Sequence, residues 1–215
     1  LKCIKIHINR YVYMNFKTFK SIEKEEISEL SRRALLNKGN FIVEKQYISN
    51  QIKRYVQDTS TLSIDGFILF RLKELDLLIS LSVDKGIEEF TARREYKDFI
   101  NILKYFVDIQ EPKYSFINIF FESNDFILLD EKNQEIDKNY FEDIIYQIED
   151  ESISSDDILI STLIVLAPKS LILHLNDKSK NSDIIRVITD VFEDRVYFCL
   201  GCEKCREKVK IDYTK

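Results

Sequence analysis

The chain has 215 residues, of which 45% are hydrophobic and 32% charged, and a formal net charge of −5. That balance excludes a disordered chain, and the length is sufficient to bury a sizeable core in one or two domains. No stretch approaches the roughly 20 consecutive apolar residues of a membrane span, and Lys2, Lys5, His7 and Arg10 interrupt any apolar core a secretory signal would need, so a cytoplasmic protein is expected.

The alternation of Cys3 to Ile8 predicts a strand, which Tyr11 to Phe16 extends as an aromatic strand or loop. From Ser21 the period becomes helical, at Ile22, Ile27, Leu30, Ala34 and Leu35. Glu23, Glu25 and Glu26 stand in the first turn, where carboxylates suit the helix dipole, and Ser21 is placed as the N-cap. Asn37 to Gly39 ends this helix. A second is expected over Val43 to Gln57, followed by a polar turn over Asp58 to Gly66.

Phe67 to Lys113 is an unusually long helix-patterned run. Its apolar residues recur at Leu72, Leu75, Ile79, Val83, Ile87 and Phe90, then at Tyr96, Phe99, Ile100, Leu103 and Phe106. Its length argues for a break near Ser82 to Gly86, giving either a helical hairpin or one long kinked helix, and Pro112 closes it. The period then becomes that of a sheet. Phe116 to Phe121 and Phe126 to Leu129 predict a hairpin, and Asn139 to Asp150 a helix. Ser154 with Asp157 forms a capping box for a helix that runs to Ala167 and stops at Pro168. Ser170 to Leu175 is expected as a buried strand, Ser182 or Asp183 to Phe192 as a helix, and Arg195 to Leu200 as the last strand. The final strand-helix-strand unit should be parallel and right-handed. The fold class is therefore α+β. A mainly helical region over 1–113, with a strand over 3–8, precedes a small α/β domain over 114–215 of order ββααβαβ that ends in a Cys-rich tail.

Chemistry concentrates at that tail. Cys199, Cys202 and Cys205 are each separated by two residues, a spacing at which thiolates converge on one soft metal ion, with Gly201 allowing a tight turn. A zinc site wants a fourth donor, from Cys3, His7 or His174; an iron-sulfur cluster wants a fourth cysteine, which is absent downstream. His174 is the best placed if its strand lies beside Arg195 to Leu200. The competing readings are a redox dithiol, simple reduced thiols, and for His174 a hydrogen-bonded core histidine.

Elsewhere catalytic patterns are missing. The four glycines, at 39, 66, 86 and 201, are scattered and form no phosphate loop. Two histidines and no nucleophile elbow give no hydrolytic triad. Adjacent acid pairs such as Glu88 with Glu89 diverge by about 100° on a helix and read as solvated faces. Charge is unevenly spread. Residues 1–60 hold 12 Lys or Arg against 6 Asp or Glu, whereas residues 61–150 hold 10 against 20. The basic, aromatic Lys5 to Lys20 stretch and Gln51 to Tyr55 suit nucleic acid in composition, and strand cores alternate in the same way.

The segments FRLKEL (Phe70 to Leu75), EYKDFINILKYFVDIQEPK (Glu95 to Lys113), LDEKNQEI (Leu129 to Ile136), STLIVLAPKSLILH (Ser161 to His174) and CLGCEKC (Cys199 to Cys205) resemble, in this order, the YtxC-like family of endospore-forming bacteria. The resemblance covers the chain from about Ala34 onward. It implies an association with sporulation and no assigned reaction. The resulting expectation is a non-catalytic protein with no cofactor, in an interaction or structural role with protein as its partner. The alternatives are a cysteine-based metal or redox module on Cys199, Cys202, Cys205 and His174, holding zinc or an iron-sulfur cluster, and nucleic-acid binding through the first 60 residues.

Overall fold

The computed structural model describes residues 2–58, 73–121, 125–136, 154–175 and 183–205. The expected turn over 59–66, the start of the long run at 67–72 and the helix over 139–150 lie outside the described residues. The chain forms two compact units, Leu1–Tyr96 and Lys97–Lys215.

The first unit contains α1 (Lys2–Asn15), α2 (Ser21–Leu36), α3 (Ile42–Asp58) and most of α4 (Lys73–Asp108). The strand expected over Cys3 to Ile8 is instead the first half of α1. The reason is the spacing of the residues that reach the core. Ile8 and Val12 are fully buried, and Ile4 and Tyr11 pack against the same cluster, an i, i+4, i+7, i+8 set that only a helix brings to one side. The apparent alternation around His7 arose because Ile6, which breaks the helical set, is turned outward. Ile27, Leu30 and Leu35 of α2, Ile48 of α3, and Leu78, Ile79, Val83 and Phe90 of α4 complete this core. Helix α2 is capped one residue earlier than expected: Lys20 holds the N-cap position, and its N–H donates to Glu23 Oε2 at 2.6 Å.

No break interrupts α4. It runs for 36 residues through Gly86, and the division between the two units falls within it. Gly86 serves a packing purpose, because a methyl group there would lie 2.2 Å from Ser31 Oγ, 2.8 Å from Ser31 N and 3.0 Å from Ile27 O. The glycine lets α4 approach the backbone of α2, at a place where Ser31 and Ser82 are both fully buried. Each serine hydroxyl is satisfied inside its own helix, Ser31 donating to Ile27 O at 2.6 Å and Ser82 to Ile79 O at 2.7 Å.

The second unit is built on a four-stranded mixed sheet of order β2-β1-β3-β4, formed by β1 (Ile117–Phe121), β2 (Phe126–Leu129), β3 (Leu171–His174) and β4 (Val196–Phe198). The expected hairpin is present, with β1 antiparallel to β2 and Phe121 opposite Phe126. Strand β3 is parallel to β1, with Phe120 opposite His174, and β4 is parallel to β3, with Leu173 opposite Phe198. Between them run α5 (Ser155–Leu166) and α6 (Asp183–Phe192). Leu159, Leu163 and Leu166 of α5 and Ile184, Ile188 and Phe192 of α6 are buried, as are Ile117, Ile119, Leu171 and Leu173 of the sheet. The capping box of α5 forms as expected: Ser154 Oγ accepts from Asp157 N at 3.2 Å, and Asp157 Oδ2 accepts from Ser154 N at 3.1 Å. Ser154→Ala is expected to lower the stability of this unit by about 1 kcal/mol in chemical denaturation, the usual cost of losing a side-chain cap.

Candidate metal centre

Three strands converge on one end of the sheet. His174 is the last residue of β3, and the backbone ladder continues past β4, since Cys199 N donates to Leu173 O at 2.9 Å. The register therefore sets Cys199 beside His174, the neighbouring-strand condition under which His174 was expected to join the cysteines. After Cys199 the chain must reverse, and Gly201, at φ +107°, takes the positive-φ conformation that does it. The turn aims two N–H groups, of Gly201 and Cys202, at Cys199 Sγ, each at 3.4 Å. A helical turn over 203–205 then returns Cys205 to the same point.

The result is a cluster of four donor atoms, all within 4.8 Å of one another: His174 Nδ1 and the Sγ atoms of Cys199, Cys202 and Cys205. Cys202 Sγ and Cys205 Sγ are 3.6 Å apart, and Cys199 Sγ and Cys205 Sγ 3.9 Å. His174 Nδ1 is 3.3 Å from Cys205 Sγ and 3.5 Å from Cys202 Sγ. A tetrahedral zinc ion with ordinary bond lengths requires about 3.8 Å between sulfurs and about 3.6 Å between sulfur and nitrogen. Four of the six spacings lie within a few tenths of an ångström of those values, and all six are within 4.8 Å. Of the other candidates for a fourth donor, His7 lies on α1 and is not in the cluster, and the side chain of Cys3 lies outside the described residues.

A fifth residue, which sequence reasoning did not single out, orients the imidazole. Asn118 of β1 places Oδ1 3.0 Å from His174 Nε2. With Nε2–H donating to that oxygen, Nδ1 carries the lone pair that faces the sulfurs. The Phe120 ring stacks on the imidazole at 3.9 Å between centroids and 13° between planes, and so fixes its tilt. The available signal was a single polar residue inside the apolar strand Phe116 to Phe121.

The electrostatics favour a neutral histidine and an uneven set of thiols. Burial, helped by the nearby Lys204 ammonium, lowers the pKa of His174, leaving the ring free to donate an electron pair at neutral pH. Burial acts to raise Cys199, but the N–H donors of Gly201 and Cys202 outweigh it with the neighbouring thiols, and its pKa falls below the ordinary thiol value. Cys205 is pushed up to about 12 by burial and by the two sulfurs beside it. Such crowding of sulfurs around one point is relieved when a cation occupies that point.

Comparison with known proteins gives kinship without chemistry. The model of the YtxC-like family matches residues 2–197, a span that includes Asn118 and His174 and stops short of Cys199. The uncharacterised protein YtxC of Bacillus subtilis (strain 168) is 25% identical over 159 residues, which cover 71% of this chain and 53% of that protein. The chain thus spans about half the length of the curated relative it matches. No solved structure matches. A match that runs over nearly the whole chain settles the kinship: this chain belongs to the YtxC-like family.

Proposed function

We propose that the chain is a non-catalytic, sporulation-associated protein whose second unit carries a structural zinc ion on His174, Cys199, Cys202 and Cys205. The observation that carries the reading is the convergence of four donor atoms within 4.8 Å of one another, with four of their six spacings close to those of a tetrahedral zinc ion. Three thiolates and one imidazole are a donor set suited to zinc. With all four positions filled by the protein, no site is left for a substrate or an activated water. An iron-sulfur cluster is disfavoured by the same geometry, because it holds its cysteines on separate irons, whereas these donors converge on a point. Zinc thiolates require reduced cysteines, which fits a cytoplasmic setting. The second part of the reading, a role in binding other proteins, is supported by Phe99, Ile102, Phe106 and Ile109, which stand exposed at i, i+3, i+7, i+10 along the end of α4 and the residue after it.

The test is metal analysis of the chain purified under reducing conditions. About one equivalent of zinc is expected, falling below about a tenth of that in Cys202→Ser. Metal-free protein with three freely reactive thiols would exclude the zinc and leave a reduced or redox-active cysteine turn in its place.

A further inference from the structure

Because residues 2–15 form a helix, the side chains that share an outward face differ from those a strand would present. With Ile8 and Val12 in the core, the opposite side of α1 presents Lys5, Ile6, Arg10, Tyr13 and Met14, all exposed. At about 100° per residue these five positions fall within one half of the helix circumference. Ile6 is 65% exposed, Met14 61% and Tyr13 47%. The sequence supplies five Lys or Arg within its first 22 residues, at 2, 5, 10, 17 and 20, and its first carboxylate is Glu23. Lys24 adds a further cation, its Nζ 5.3 Å from the centre of the Tyr13 ring. The Tyr13 hydroxyl reaches Ser21 O at 3.5 Å, which brings the strongly exposed Ile22 to the same end of the helix.

We infer that the outer face of α1 docks on an anionic lipid surface, lying in the plane of the headgroups. Two features of the face point there together. The charge of α1 and the turn after it, up to Lys20, is of one sign and complements phosphate headgroups, each Lys or Arg adding to the attraction. The apolar members are a flexible thioether at Met14, a branched aliphatic chain at Ile6, and Tyr13, an amphipathic ring of the kind found at the membrane boundary. A nucleic-acid groove offers phosphates to the same cations but rewards stacking rings and polar contacts, and gives Ile6 and Met14 nothing to bury against. No helix among the described residues is long and apolar enough to cross a membrane, so the contact is peripheral. This inference is independent of the zinc site, which lies in the other unit.

The experiment is sedimentation of the full chain with vesicles of phosphatidylcholine alone, vesicles containing about 30% phosphatidylglycerol, and fluorescent oligonucleotides in competition. The chain is expected to pellet with anionic vesicles and not with neutral ones. Lys5→Glu with Arg10→Glu should weaken that binding by about 100-fold or more, and Ile6→Ser with Met14→Ser by about tenfold. All four positions are on the surface, and unchanged circular dichroism melting of the variants confirms that folding is intact. Failure to bind anionic vesicles at low salt overturns the inference. So does binding that survives the charge reversal, or preferential binding to oligonucleotide that ignores Ile6→Ser and Met14→Ser.

Discussion

Chelating zinc from the reduced chain is expected to lower the thermal midpoint of the second unit by more than about 15 °C. An ion that binds only the folded state stabilises it by about 4 kcal/mol when its free concentration is about 1,000 times its dissociation constant, and in a unit of about 100 residues each kcal/mol shifts the midpoint by about 4–8 °C. Cys205→Ser should reproduce the chelated state without chelator and be insensitive to added zinc. The sign of the pH effect follows from the thiols. Cys205, pushed up to about 12 without metal, holds a proton at neutral pH that zinc must displace. Each displaced proton makes affinity fall about tenfold per pH unit, so lowering the pH from about 7 to about 5 should weaken binding by at least about 100-fold. His174, whose pKa is lowered, is already neutral at pH 7 and adds to the loss only as it protonates at lower pH. Melting that is the same with and without chelator would refute a structural role for the metal.

Gly86→Ala is expected to destabilise the first unit, against the usual direction for this substitution in a helix. Alanine is favoured over glycine in a helix interior by about 1 kcal/mol. Here the added methyl meets Ser31 N at 2.8 Å and Ile27 O at 3.0 Å, which are backbone atoms of α2 and cannot rotate away. Overpacking of this kind costs about 1–3 kcal/mol, so after the propensity gain the net effect is a loss of up to about 2 kcal/mol, and Gly86→Leu should prevent native packing of α2 on α4. Chemical denaturation followed by circular dichroism reads both. A second substitution, Ser31→Ala, should fail to rescue Gly86→Ala, because it removes the hydroxyl but leaves the backbone contact. A more stable Gly86→Ala protein would show that the close approach carries no energetic weight.

The cysteine cluster and Gly86 also mark how far the sequence could be read. The cysteine turn was legible because CxxC spacing is local, and so was the hairpin, since its two apolar runs are adjacent and close on each other. His174 was legible only through a condition on topology, that its strand lie beside the last one, and the parallel pairing of β3 with β4 meets it. Asn118 was not, because its role depends on β1 lying on the other side of β3, a pairing across more than fifty residues that no local pattern encodes. A break near Ser82 to Gly86 was expected from the length of the run, with Gly86 permitting it; what keeps the glycine inside a continuous helix is the tertiary approach of Ser31, which lies 55 residues earlier. The first helix failed for a related reason. CIKIHI satisfies a period of two over six residues and a period of about 3.6 over the fourteen of α1, and only burial of Ile8 and Val12 decides between them.

The hydrogen bond from His174 to Asn118 has a consequence for the order of events in folding. All four candidate donors lie within residues 174–205, so a fragment spanning only those residues would carry a full complement of thiols and imidazole. It would lack the strand that selects which ring nitrogen faces them. In the proposed zinc site, high-affinity capture would wait on the long-range union of β1 with β3, the kind of non-local pairing that forms slowly. An occupied site would then report that the whole sheet has assembled, and a fragment that begins after β1 would be chemically equipped yet poorly aimed.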